Sequence, residues 1–243
     1  GDKNFIVAHH PSKFGQIKEQ AETYRKEFGI ETNIYSKEEF SEIGHGGIGQ
    51  FGAVSYKPGF AINPLKFVNG ITHYAISKKL KIFEHTLITK VEKNLDNYIL
   101  RSKEGSIKTQ KIVVATNGFY QEGLIPELNS RILPVISNII VTRKLTNEEL
   151  DAYNFKTYNP IVNCRNLLHY YRKLPDNRIL FGTRGDLVGS DKSNEEMSKK
   201  IEVFLKSIFP SWSNINIEYK WRGLIALSQK LTPSIGKIQD EEI

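Results

Sequence analysis

Three glycines in the stretch SEIGHGGIGQFG, Gly44, Gly46 and Gly49, stand in the spacing G-x-G-x-x-G. In a dinucleotide-binding loop that spacing brings main-chain N–H groups up to a pyrophosphate, provided a strand delivers the first glycine and a helix opens after the last. The flanking residues here run in the opposite order. Ser36 followed three residues later by Glu39 is capping-box spacing, which predicts a helix ending near Ile43 with Gly44 as its C-terminal stop. After Gly49, QFGAVSYKPGF carries Gly52, Pro58 and Gly59 and no helical register. The motif therefore reads as a loop leaving a helix, not as a phosphate cradle.

His45 inside that loop has no carboxylate or second histidine beside it at ligand spacing, so it is read as a solvent-exposed or hydrogen-bonding residue and not as a metal ligand. His9 and His10 read as surface residues, and Cys164, with no base nearby in sequence, as a small core residue and not a nucleophile. No G-x-S-x-G, H-E-x-x-H, P-loop or C-x-x-C pattern occurs.

The elements that must position any site are legible from caps and periodicity. Capping-box spacing recurs at Thr146 with Glu149 and at Ser193 with Glu196. The last of these opens a helix with Met197, Ile201, Phe204, Leu205 and Ile208 on one face and Pro210 as its stop. A second helix is expected from about Ser12 to Phe28, with Ile17, Ala21, Tyr24 and Phe28 in register and Gly29 ending it. A third begins at NPLKFVNG, with Asn63 as cap and Pro64 at the first helical position, and runs to about Lys79. All three apolar faces are expected to pack on sheets.

Between them lie strands. TLITKVE, NYILRS and GSIKTQ read as a three-stranded antiparallel meander, and KIVVAT as a short strand covered on both faces. RILPVISNIIVTRKL reads as extended, LLHYYRKL and NRILFGT as a hairpin around PDN, and NIEYKWRGLIAL as one more strand. The fold class is mixed α and β, with the sheet after residue 130 mainly antiparallel.

The chain of 243 residues is 39% apolar, enough for one or two domains. No apolar run approaches the roughly 20 residues of a membrane helix, and no membrane partner is expected. The start GDKNFIVAHH has neither an initiator methionine nor a signal peptide, so the expectation is a chain that begins inside something longer or after processing. One cysteine among the 243 residues fits a reducing compartment, with the cytoplasm as default. A net charge of +7 is scattered, and clusters such as SKKLK form no continuous stripe, so nucleic acid is not an expected partner.

Taken in order, the helix and strand NPLKFVNGITHYAISKKLKIFEHTLITKVE, the meander, KIVVATNGFYQEGLIPEL, ILPVISNIIVTRKLT, LLHYYRKLPDNRILFGTRGD and WRGLIALSQKLTPSIGKI resemble the FAD-dependent oxidoreductases of the D-amino-acid oxidase family. Within it the likeness is to the γ-glutamylputrescine oxidoreductase-like branch of amine and amino-acid oxidases. The resemblance implies a large antiparallel-sheet substrate domain with flanking helices, formed by 1–60 and 129–222. It also implies a partial Rossmann-type FAD-binding domain at 61–128, with 223–243 beginning the return to it. Family members carry a true G-x-G-x-x-G near the N-terminus and a second glycine-rich FAD segment near the C-terminus. Both are missing here, so the chain is expected to be a truncated or split member, incomplete and without its own firm hold on FAD.

The resemblance also implies roles. The turn VVATNG would approach the ADP part of FAD through Ala115, Thr116, Asn117 and Gly118, Val91 would pair its main chain with the adenine, and Trp221 would sit in the core near the flavin. The chemistry implied is hydride transfer from the carbon beside an amine to flavin, which needs no obligatory acid–base pair. The substrate side should offer an aromatic wall and an arginine for a carboxylate. Tyr170, Tyr171 and Arg172 supply both types, with Arg184 and Arg222 as further candidates and His45 as the polar residue of its loop. Strand alternation puts Tyr170 and Arg172 on one face and Tyr171 on the other. Two other readings stay open at this point: a non-catalytic module whose partner chain supplies the FAD half, and, more weakly, a nucleic-acid-binding protein.

Overall fold

A computed structural model describes residues 1–186 and 189–238, which divide into two compact units: 1–61 with 136–223, and 62–135 with the segment from Leu224 on.

The first unit is built on a sheet of eight strands. In chain order these are β1 (Asn4–Val7), β2 (Glu31–Tyr35), β3 (Ala53–Lys57), β7 (Ile132–Thr142), β8 (Ile161–Asn163), β9 (His169–Lys173), β10 (Ile179–Asp186) and β11 (Ile217–Ser228). Their spatial order is β11-β7-β10-β9-β8-β1-β3-β2, and β1 with β8 is a parallel pair set among antiparallel pairs such as β9 with β10 and β10 with β7.

Helices cover the two faces of this sheet. Helix α1 (Pro11–Phe28) starts where the His10 imidazole accepts the Ser12 N–H and stops at Gly29, whose φ of 63° is the left-handed cap the sequence calls for. Its Ile17 and Ala21 bury against Val54 and Tyr56 of β3. Helix α2 (Lys37–Ile43) carries the complete capping box: the Ser36 hydroxyl accepts the Glu39 N–H, and the Glu39 carboxylate accepts the Ser36 N–H. The Thr146 box likewise opens α4 (Asn147–Asp151).

Helix α5 (Asp191–Ile208) corrects the sequence expectation at its start. Ser190, not Ser193, is the N-cap and accepts the Ser193 N–H, while the Ser193 hydroxyl donates to Asp186 at the end of β10. The capping-box spacing was matched one turn inside the helix, where a serine hydroxyl had a side-chain acceptor instead. Ile201 and Leu205 are fully buried and pack with Phe5, Val7, Ile140, Ile161, Tyr171 and Phe181 of the sheet. Each such side chain contributes roughly 1.5–3 kcal/mol by leaving water. Phe209 and Trp212, beyond α5, stack with centroids 4.2 Å apart and close that core, and the indole N–H donates to the Glu149 carbonyl at 2.9 Å.

The second unit holds α3 (Pro64–Ser77), capped by Asn63 as expected, and the meander β4 (Lys90–Asn94), β5 (Asn97–Arg101) and β6 (Ser106–Thr109). Two expectations fail in it. Helix α3 buries none of its residues, and Leu65, Phe67, Val68, Ile71, Tyr74 and Ile76 are all exposed. KIVVAT forms no strand, and Val113 is 89% exposed. A two-sided buried strand needs ladder neighbours and covering helices, and the meander is the only sheet lying wholly within the described residues of this unit.

Candidate active site

The hairpin of β9 and β10 places the candidate residues by register. Phe181 lies opposite Tyr171 and Gly182 opposite Tyr170, while Leu180 lies opposite Arg172. Alternation then sends Tyr171, His169 and Phe181 toward α5 and sends Tyr170, Arg172 and Arg184 to the other face. Ser137 of β7 pairs with Arg184 across the ladder and joins that second face, where its hydroxyl hydrogen-bonds the Tyr170 phenol. Gly182 is glycine for a packing reason: a Cβ there would collide with the Tyr170 ring, which lies across the β10 main chain. Register shifts between Arg184 and Asp186, and the intervening Gly185, with φ of 136°, supplies the irregular turn of backbone.

Burial raises the Tyr170 phenol above its usual range, opposed by the Ser137 hydrogen bond and by the positive charge of Arg184 close by. Burial likewise depresses Arg172. The Arg184 Nε is buried and has no acceptor. A buried guanidinium N–H without a partner costs about 1–3 kcal/mol, so this face holds a donor set that a carboxylate would complete.

Other residues singled out from the sequence lie elsewhere. His45 and Tyr171 are both buried in the α5-side core; the Tyr171 hydroxyl and His45 Nε2 are 2.8 Å apart, and His45 Nδ1 accepts the Gly47 N–H at 3.0 Å. His45 sits among the rings of Phe40, Phe155 and Phe209. Burial drives its pKa down to about 3 and raises that of Tyr171 out of the physiological range. Neither residue shares the face of Tyr170. The Arg222 guanidinium donates to the Ser190 carbonyl at 3.0 Å and pairs with Asp191, and Trp221 is 46% exposed instead of lying in the core. The sequence reading missed Ser137 and Gly182, although a turn centred on PDN fixes which residue faces Tyr170.

In the second unit, Val91 lies on β4 opposite Leu100. Thr116 precedes a single 3-10 turn at Asn117–Phe119; Asn117 takes φ of 53°, and its side-chain oxygen accepts the Ala226 N–H at 3.1 Å. Gly118 is buried, and a Cβ on it would sit 2.9 Å from Leu224. That glycine is therefore required by the chain folded over it. Among the described residues no strand–G-x-G-x-x-G–helix unit exists, and Gly44, Gly46 and Gly49 follow α2 instead of preceding a helix. The residues present do not by themselves make a cradle for the pyrophosphate of FAD.

The first unit is a mainly antiparallel sheet with helices on both faces and a tyrosine and arginines gathered on one of them; the second is a helix with a meander. The model of the FAD dependent oxidoreductase family matches residues 3–242, and the chain belongs to that family. It is 24% identical over 239 residues to gamma-glutamylputrescine oxidoreductase of Escherichia coli, covering 96% of this chain and 54% of that protein. It is 31% identical over 186 residues to the probable oxidoreductase OrdL of Haemophilus influenzae, covering 73% of this chain and 40% of that protein. The chain thus spans about half the length, or less, of these relatives. Its fold matches glycine oxidase from Geobacillus kaustophilus with a TM-score of 0.79 at 15% identity, covering 99% of this chain and 63% of that one. It matches L-proline dehydrogenase from P. horikoshii with a TM-score of 0.75 at 19% identity, covering 98% and 63%. No helix among the described residues is long and apolar enough to cross a membrane.

Proposed function

We propose that this chain is the substrate-binding part of an FAD-dependent oxidoreductase that oxidises the C–N bond of an amine or amino acid, and that the face carrying Tyr170, Arg172 and Arg184 holds the substrate. The observation that carries this reading is the buried, acceptor-less Nε of Arg184 beside the Tyr170 phenol. A substrate carboxylate would take two parallel N–H bonds from the guanidinium, and the tyrosine ring would wall the carbon chain. FAD supplies the two-electron acceptor in the family. The described residues do not complete its pyrophosphate site.

The test uses the flavin-loaded enzyme that contains this chain. Arg184→Met should raise KM for a carboxylated amine roughly 10- to 100-fold, the loss of a charge-assisted pair worth about 1.5–3 kcal/mol, and leave KM for the matching decarboxylated amine unchanged. Equal effects on both substrates, or none, would overturn it.

The unburied apolar face of α3 favours a second reading, in which a partner chain covers the FAD-side unit. Co-purification with a chain carrying a strand–GxGxxG–helix unit would support that reading, and a stable cofactor-free monomer would count against it.

A further inference from the structure

On the α5 side of the sheet, opposite Tyr170 and Arg184, the loop after α2 and the C-terminal half of α5 enclose a cavity of about 300 Å³. Three of the chain's six histidines, His9, His45 and His169, line it, with Arg165, Ile48 and Phe204 among the other walls. No aspartate or glutamate does.

The three imidazoles are not equivalent. Both nitrogens of His45 are engaged, one with the Tyr171 hydroxyl and one with the Gly47 N–H, so it is a fixed wall. His9 spends Nδ1 on the Cys164 sulfur at 3.2 Å. His169 is 4% exposed, and its Nδ1 is buried with no partner. Leaving such a group unmet costs about 1–3 kcal/mol unless something polar enters the cavity. Arg165 stands exposed at the edge and makes no ion pair among the described residues. Burial and the charge of Arg165 push His169 down to about 4, and the same two causes lower His9, so Arg165 is the one full charge and the imidazoles serve as neutral hydrogen-bonding groups.

We propose that this cavity is a second ligand site, separate from the sheet face of the proposed oxidation, that takes a small carboxylate with an apolar body. The carboxylate lies between Arg165 and His169, and the body lies against Ile48 and Phe204. A lining whose one full charge is the Arg165 guanidinium and which holds no carboxylate selects an anion, while the apolar walls favour an organic acid over a bare oxyanion.

The experiment titrates the full chain with cyclohexanecarboxylate, with its neutral amide, and with inorganic phosphate, following the imidazole nitrogens by NMR. The acid should shift His9 and His169 saturably and leave His73 and His85 in place, and the amide should bind at least tenfold more weakly. Arg165→Gln should weaken the acid about tenfold, the loss of one charged contact near 1.4 kcal/mol. Phe204→Trp should fill the cavity and abolish the shifts, and Arg184→Gln should change nothing. Silence at His9 and His169, equal binding of acid and amide, stronger binding of phosphate, or sensitivity to Arg184→Gln with indifference to Arg165→Gln would each overturn the proposal. Because the readout needs no flavin and no turnover, its failure is distinct from failure of the oxidation reading.

Discussion

Acid should destabilise the first unit through two buried histidines, His45 and His169. His45 is fully buried and His169 nearly so, and their pKa values fall from near 6.5 to about 3 and about 4. Each folded value lies below the unfolded one, so the unfolded chain binds more protons in between. The stability held by the neutral imidazoles is therefore complete above about pH 6.5 and is lost as pH falls toward 4 and then 3. One proton per pH unit corresponds to about 1.4 kcal/mol, and allowing for the rounded start of the curve, each histidine removes about 1.5 kcal/mol between pH 6.5 and 5. Together they remove about 3 kcal/mol, a large share of a typical domain's stability. The two tryptophans, Trp212 and Trp221, both belong to the first unit, so denaturant titrations followed by tryptophan fluorescence report on it alone. Glu149, whose pKa is held down to about 2 by Arg143, titrates below this window and does not blur it. His45→Gln and His169→Gln should each lower stability at pH 7 and flatten the decline to pH 5, and the double variant should flatten most of it, leaving the smaller part that His9, also lowered by burial, contributes. A double variant that loses stability between pH 6.5 and 5 as steeply as the parent chain would refute the assignment.

Gly182→Ala forces the Tyr170 ring off the β10 main chain and should cost about 1–3 kcal/mol by overpacking, read as a lower denaturant midpoint; an unchanged midpoint would mean that the ring moves freely. Asn138 of β7 is 1% exposed with both amide atoms unpartnered, so Asn138→Val should stabilise the first unit by about 1–2 kcal/mol in the same titration, and a loss would reveal a partner for the amide. Hydrogen exchange should be fastest in α3, a helix of 14 residues with nothing buried, and slowest in β9 and β10; equal protection in α3 and β10 would contradict the exposed face.

Caps and turns were legible because their physics is local. Ser36 with Glu39, Asn63 with Pro64, and Gly29 each satisfy or redirect backbone groups within five residues, so the helix ends they mark need no knowledge of the rest of the chain. The hairpin was legible for the same reason, and with it the split of Tyr170 from Tyr171. His45 was not, because its surroundings come from Phe155, Tyr171 and Phe209, more than a hundred residues away. A single histidine in a glycine-rich loop carries no mark of whether distant aromatics will close over it. Ser193 misled in a smaller way: its spacing to Glu196 satisfies the capping rule, but Asp186 on β10 engages its hydroxyl and leaves the cap to Ser190.

The two units show what hydrophobic patterning does and does not specify. In the first unit the centre of each helical pattern finds its counterpart: α1 has Val54 and Tyr56, and α5 has Ile140, Ile161 and Phe181, while Phe28 at the end of α1 stays exposed. In the second, the helical stripe of α3 and the continuous apolar run KIVVAT are as well formed in sequence, yet α3 buries none of its residues and KIVVAT forms no strand. A pattern encodes a demand for a covering surface and not the surface itself. Each large side chain left on α3 forgoes roughly 1.5–3 kcal/mol that a packed neighbour would supply, and its row of six exposed apolar residues is far more than a solvated helix carries by chance. The same reasoning applies to Gly44, Gly46 and Gly49. Their spacing matches a phosphate loop, but the helix lies on the wrong side of it, and the groups that would make a glycine motif into a cofactor site are the strand before it and the helix dipole after it. In this chain the first unit meets the demands its patterns make, while α3 in the second leaves its apolar row exposed.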